Sequence, residues 1–495
     1  MKTLQQLCAA VLETDAGQPA VEFAGRWYDW GLMQRLVQRV RDLLQASGAD
    51  PAAAVCFAPR NCPSALATLL ALMSQGRHVR MLYAFQSAAA LARQIEQYQP
   101  AVVIAAEREF SAEVNAVLLQ QGIAGIALQD LDAHAVSGCG ISKRGISAPS
   151  AEPGIDILTS GTTGAPKPFP VSYAMIAKFM VGEELHSGAR YDASGETPAL
   201  LYFPFGNITG LRTTVPALLR GQRIVLLERF SLDKWHDFVV RHRPASSGIP
   251  PAAMPALLEA DYPAEDFASL QSMGSGAAPL DLALHRAFEA RYRIPILLSY
   301  GATEFLGPVT AMTRELHANW GEAKFGSVGR ALPGCKLRVV EPETGASLPA
   351  GTRGTLEVVS PRIGAEWIRT SDIAMIDADG FVFLHGRADG AIMRGGFKVL
   401  PETIERVLLL HPAIAAASVV GVPDQRVTEV PGAAVQLKPG REQPTVEELT
   451  EHLRAQLLAT YIPVHWRFVD ALPQTPSFKI DRPAVRRLFA GDHGA

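Results

Sequence analysis

The chain has 495 residues, of which 48% are hydrophobic and 19% charged, with a net charge of −3. Such a length predicts roughly two to four folding units, and such a balance excludes intrinsic disorder. The near-neutral charge carries no electrostatic footprint for nucleic acid or for an anionic membrane surface, so neither is expected as a partner.

The opening segment, MKTLQQLCAAVLETDAG, has one lysine and no continuous apolar core, so it does not read as a signal peptide. The apolar run AAAVCFAP at 52 predicts a buried strand, and SALATLLALMSQG after it predicts a helix. Strand-like runs follow at 101 (AVVIAAE), 223 (RIVLLE) and 294 (IPILLSYG), the last preceded by the helical pattern LDLALHRAFEARYR. Buried strands alternating with helices predict α/β layers. The longest apolar stretches, SALATLLALM and AIAAASVVGV, fall short of the roughly 18 residues that span a bilayer, so no membrane insertion is expected. From about 324 the texture changes to short strands, frequent glycines and turn signals such as PETG and PAG, which predict a small β-rich unit over about 324–388. The last hundred residues read as a separate α+β domain. LPETIERVLLLHP predicts a helix, AASVVGV and GAAVQLK predict strands, and TVEELTEHLRAQLL predicts a helix with capping-box spacing at Thr445 and Glu448.

Cys8, Cys56, Cys62, Cys139 and Cys335 are odd in number and none lies in a CxxC pair. A disulfide framework or a zinc cluster is not expected, buried thiols are, and a reducing cytoplasm is the natural setting.

The segment with the clearest chemistry is ILTSGTTGAPKP at 157–168. A buried strand leads into side chains too small to build a core, which leaves backbone N–H groups and hydroxyls to face acceptor oxygens. Lys167 adds a point charge, and a phosphate chain is the ligand such a loop suits. It is not a Walker loop: the spacing from Gly161 to Lys167 is wrong, and Pro168 stands where Ser or Thr would hold magnesium.

TSGTTGAPK resembles the nucleotide loop of the class I adenylate-forming superfamily, which includes acyl- and aryl-CoA synthetases. Four further motifs of that family follow in order: YGATE (300–304), IRTSD (368–372), GRADGAIMRGGFKVLPETIE (386–405) and LPQTPSFKIDR (472–482). The resemblance covers most of the chain. It implies a large adenylate-forming domain over 1–388 and a small mobile α+β lid over 389–495. It implies two steps: ATP and a carboxylic acid give acyl-AMP and pyrophosphate, and a thiol then displaces AMP. ATP, Mg²⁺ and coenzyme A are the implied cofactors, with a holo acyl carrier protein as the alternative acceptor. A nucleotide-binding module without turnover is the alternative outside enzymes. A monomer or homodimer is expected.

The same resemblance assigns residues. Thr159, Ser160, Gly161, Thr162, Thr163 and Gly164 form the phosphate loop with Lys167. Tyr300 and Gly301 face the adenine, which a flat phenol ring can stack upon. Thr303 meets the α-phosphate and Glu304 holds Mg²⁺ at a strand end, the usual place for α/β ligand contacts. Asp372 accepts from the ribose hydroxyls, Arg387 contacts the nucleotide, and Lys398 lies near its phosphates. Asp389 is the hinge, and Gly396 lets pantetheine pass close to the backbone. Lys479 bridges the carboxylate and the α-phosphate, offsetting the repulsion of two anions. Asn207 in FPFGNITG, Gly274, Ser275 and Gly276 in SMGSGAAPL, and Ser299 to Ala302 line the acyl pocket. No Asp or Glu lies between Leu200 and Glu228 to pair with a substrate ammonium, which disfavours amino acids and leaves a medium-sized aromatic or fatty acid. The chain departs from the family at Pro168, Asn207, Phe478, and Ser371, which replaces a glycine.

Overall fold

The sheets account for most of what positions the site in this computed structural model, which describes residues 1–84, 86–138, 152–159, 167–187, 197–276, 279–394, 397–424, 428–457, 459–475 and 479–490. The chain divides into two units, Met1–Pro244 and Ala245–Ala495.

In Met1–Pro244 a seven-stranded sheet runs in the order Asp132–Ala135, Ala124–Gln129, Val102–Ala106, Val55–Ala58, Val79–Met81, Gly154–Thr159, Lys167–Ser172. The middle five strands are parallel, and only the two edge pairings are antiparallel. Val55–Ala58 is buried at every residue, as a parallel strand covered on both faces must be, and this is why it reads as a continuous apolar run. The helix Pro63–Ser74 follows it and is buried around almost its whole circumference. A four-stranded sheet joins Ala199–Leu201, Ile224–Leu226, Pro19–Phe23 and Arg26–Asp29.

The described residues of Ala245–Ala495 form three sheets. The first runs Ser246–Gly248, Ser272–Ser275, Ile296–Ala302, Gly307–Ala311, Arg330–Ala331, parallel for its first three strands and antiparallel after them. The second is an antiparallel meander of Lys336–Val340, Arg353–Val359, Ile368–Ile376 and Val382–Arg387, the β-rich texture expected from about 324. The third is built on the hairpin Ile414–Asp424 and Thr428–Leu437, with His465–Val469 added in parallel. The helices Pro401–Leu409 and Val446–Arg454 contribute Ile404, Leu408, Leu449 and Leu453 to its apolar core, beside Val419 and Val435. The Thr445–Glu448 capping box is formed in both directions.

Among the described residues no helix is long and apolar enough to cross a membrane. Cys8, Cys56, Cys62 and Cys335 are buried thiols; Cys139 lies outside the described residues.

Candidate active site

The strand Ile296–Ala302 ends at the YGATE motif, and its antiparallel partner Gly307–Ala311 returns directly beside it. Gly301 has to be glycine here, because a Cβ would lie 2.4 Å from the Gly307 carbonyl oxygen and from Pro308 Cα. The turn Thr303–Phe305 between the two strands closes with Leu306 in the left-handed region at φ 57°. A non-glycine residue there is strained and must be held from outside. Ser360 Oγ and Arg362 Nε do so, donating to the Phe305 carbonyl at 3.0 and 3.1 Å. Thr303 and the exposed Glu304 sit on this pinned turn.

Asp372 lies in the strand Ile368–Ile376, directly opposite Arg387 in Val382–Arg387. Residues paired across an antiparallel ladder share a face, so motifs fifteen residues apart in sequence meet by register. The Tyr300 hydroxyl donates to Asp372 Oδ2. Burial first, and then the Asp372 charge, raise the Tyr300 pKa, so the phenol keeps its proton and its donor role. Arg387 Nη2 donates to Ser371 Oγ at 2.5 Å.

Lys479 comes from a narrow hairpin near the end of the chain. Thr475 N donates to the Lys479 carbonyl at 2.7 Å, Lys479 N to Thr475 Oγ1 at 3.2 Å, and Asp481 N to the Pro473 carbonyl at 2.9 Å. Three residues on, Arg482 anchors this hairpin: its guanidinium donates to Glu402 Oε1 at 3.1 Å, Glu405 Oε2 at 3.0 Å and the Val419 carbonyl at 2.9 Å. Lys479 is an exposed residue whose pKa is nonetheless lowered. Protein atoms crowding the ammonium are the main cause and Arg387 the second, while Glu304 and Asp372 pull the other way. Glu304, Asp372 and Arg387, drawn from three separate motifs, therefore all act on the charge of Lys479, which comes from a fourth.

The proposed pocket residues of this unit cluster at the ends of parallel strands. Gly274 and Ser275 end Ser272–Ser275, and Ser299 and Ala302 lie in the neighbouring strand. A Cβ on Gly276 would come within 2.8 Å of Ser299 Oγ, so these two positions touch. In the other unit Asn207 caps the helix Ile208–Leu219, its Oδ1 accepting from Gly210 N at 2.7 Å. Its oxygen is used by the cap, and the amide NH₂ is what it can offer a ligand.

Thr159 ends one strand and Lys167 begins the next, paired in register, so an antiparallel hairpin frames the phosphate loop. Ser160, Gly161, Thr162, Thr163, Gly164, Gly396 and Phe478 lie outside the described residues, as do the side chains of Thr159, Lys167, Asp389 and Lys398. The backbone of Asp389 is in the turn Ala388–Gly390, and that of Lys398 is in Phe397–Val399.

Four groups were not predicted from sequence: Ser371 as a partner of Arg387, the Ser360–Arg362 support of the turn, Glu402 and Glu405 as anchors, and Arg482 between them. Only Ser371 had a signal, as a departure from glycine. Among the described residues no cluster of three or more His, Cys, Asp or Glu is placed to hold a metal. One exposed carboxylate, Glu304, fits Mg²⁺, which is usually bound through one or two carboxylates together with substrate phosphates.

Comparison with known proteins defines the class. Residues 8–365 match the sequence profile of the AMP-binding enzyme family, and 403–479 match that of the AMP-binding enzyme C-terminal domain. The chain belongs to this family of adenylate-forming acid–thiol ligases, with a large N-terminal and a small C-terminal domain. It is 29% identical to an indoleacetate–CoA ligase from Aromatoleum aromaticum over 96% of each chain. It is 30% identical to a fatty acid–[acyl-carrier-protein] ligase from Streptomyces coeruleorubidus, over 69% of this chain and 68% of that one. The crystal structure of ATP-bound MatB from Rhodopseudomonas palustris, 24% identical, superposes with a TM-score of 0.81 over 99% of this chain and 100% of its own.

Proposed function

We propose that the protein activates an aromatic or fatty carboxylic acid with ATP and transfers the acyl group to the thiol of coenzyme A. The observation that carries this reading is the meeting of Glu304, Asp372, Arg387 and Lys479 in one electrostatic neighbourhood. A carboxylate oxygen of the acid attacks the α-phosphorus, a P–O bond forms, the α–β bridging bond breaks and pyrophosphate leaves. The thiol sulfur, having given up its proton, then attacks the acyl carbonyl, and the C–O bond to AMP breaks.

Each residue has a part in this. Asp372 accepts from the ribose hydroxyls, with Tyr300 holding one of its oxygens. Arg387, Thr303, Lys167 and the loop Thr159–Gly164 bind the nucleotide, and Lys398 lies toward the phosphates. Glu304 holds Mg²⁺, which supplies charge neutralisation at the phosphates when bound. Lys479 brings its ammonium to the two anions that must approach, an interaction that strengthens as charge develops. Holding acid and nucleotide together removes much of the entropic cost of the encounter.

The reading also divides the chain at Asp389, with 389–495 rotating after the first step to withdraw Lys479 and open a thiol path past Gly396. The anchored hairpin favours this: Arg482 ties Lys479 to its own domain, so the lysine moves with that domain. Likeness to a carrier-protein ligase supports the second acceptor, a holo acyl carrier protein. Pyrophosphate release across a panel of aromatic, short, medium and long-chain acids, with free CoA and holo carrier protein compared, tests both. Steady release with an aromatic or fatty acid and thioester formed on CoA are expected. Release with none of them, despite bound ATP, would leave a binding module instead.

A further inference from the structure

We propose that Ser371 is a positioning residue for nucleotide binding, its hydroxyl fixing the Arg387 guanidinium beside the strand segment that carries Asp372. The proposal rests on Arg387 being a nucleotide contact and adds a residue that this contact depends on.

Arg387 is the last residue of its strand, and the chain turns at Ala388 immediately after it. Its side chain is exposed, long and rich in rotamers, so strand register fixes its Cα but not the direction of its guanidinium. Ser371 Oγ accepts from Arg387 Nη2 at 2.5 Å, a charge-assisted bond from a short side chain on the neighbouring strand. Ser371 immediately precedes Asp372, whose Cα is the register partner of Arg387. One hydroxyl thus ties the guanidinium to the backbone segment that presents the ribose acceptor. The charge it places is felt elsewhere in the site: after burial, Arg387 adds to the lowering of the Lys479 pKa, and it opposes part of the burial-driven rise at Tyr300. Glycine, expected at 371 from the motif, would provide the same backbone and no such acceptor.

The test is binding of MgATP to the full-length protein by titration calorimetry, which needs no knowledge of the acid. Ser371→Ala and Ser371→Gly are expected to weaken MgATP by about 3- to 10-fold, the scale of one typical hydrogen bond. Ser371→Thr keeps the hydroxyl and is expected to stay within about twofold of the wild type. In an Arg387→Ala background, Ser371→Ala is expected to add nothing further, because coupled residues are non-additive. Unchanged or tighter MgATP binding in Ser371→Ala, or a full additive loss in the double variant, overturns the positioning role. A merely structural role is recognised by equal losses in Ser371→Thr and Ser371→Ala together with lowered melting temperatures. If Arg387→Ala itself leaves MgATP affinity unchanged, the nucleotide reading of Arg387 fails, and that arm separates the two failures.

Discussion

Two parts of the site within Ala245–Ala495 are held in different ways. Tyr300, Asp372, Arg387 and Ser371 sit on two neighbouring sheets and bond through side chains in two pairs, Tyr300 to Asp372 and Arg387 to Ser371. Among the described residues Lys479 is held at its root, by backbone bonds across its hairpin and by Arg482 three residues on. Among the described residues its ammonium makes no ion pair within 4.0 Å. A preorganised set suits a ligand that stays bound throughout a reaction. A charge on an anchored but unpaired arm suits a group needed at one step and withdrawn for the next.

The sharpest way to break this contrast is to remove the arm. Lys479→Ala is expected to slow acyl-AMP formation by roughly 10²–10³-fold, the scale of losing a preorganised charge at a transition state. Pyrophosphate release is the readout, and an unimpaired first step would remove Lys479 from the mechanism. Removing the strand-borne acceptor should act on binding instead. Asp372→Ala is expected to raise the KM for ATP by about tenfold or more, since it also leaves the Tyr300 hydroxyl without its carboxylate. Equal use of 2′,3′-dideoxy-ATP and ATP by the wild type would contradict a ribose-binding Asp372.

The pH dependence sharpens the comparison further. The lowered Lys479 pKa means that its charged form is lost at a lower pH than for an ordinary lysine near 10.4. An alkaline limb in the rate of acyl-AMP formation is therefore expected below that value, falling as pH rises. Lys479→Arg, whose guanidinium keeps its proton, should move that limb upward whatever it does to the maximum rate. An unmoved limb would assign the titration to another group.

The anchor gives the smallest effect, on stability. Burial, first, pushes the Glu405 carboxyl up to about 7, with Glu402 adding to the rise and Arg482 and the Val419 N–H opposing it. The folded protein thus holds this proton more tightly than the unfolded chain. Its contribution is full below the usual carboxylate range and is lost as pH rises through about 7. Wild-type melting temperature is expected to fall by roughly 2 °C or more between pH 5 and pH 8 from this group, and Glu405→Gln should flatten that slope. The same slope in both proteins would mean that Glu405 does not titrate there.

The sequence made some of this legible and hid the rest for physical reasons. Val55–Ala58 and Val102–Ala106 were readable because buried parallel strands are continuous apolar runs. The capping box at Thr445 was readable because its two bonds depend on residues three apart. The strand Lys167–Ser172 was not. Pro168 and Pro170 argue against a strand, and they are tolerated because this one lies at the edge of its sheet. The Arg482–Glu402–Glu405 anchor joins residues 80 and 77 apart, with no local pattern to announce it. Likewise Ser371 and Arg387 meet only through strand register, which the spacing of the motifs does not reveal.

The central claim is that Lys479 serves one half-reaction and not the other. The direct measurement is thioester formation by Lys479→Ala from chemically supplied acyl-AMP and CoA, set beside its rate of acyl-AMP formation. A thioester rate within about threefold of the wild type, with the first step reduced roughly 10²–10³-fold, is the result expected of a charge withdrawn between steps. Equal losses in both half-reactions would contradict it.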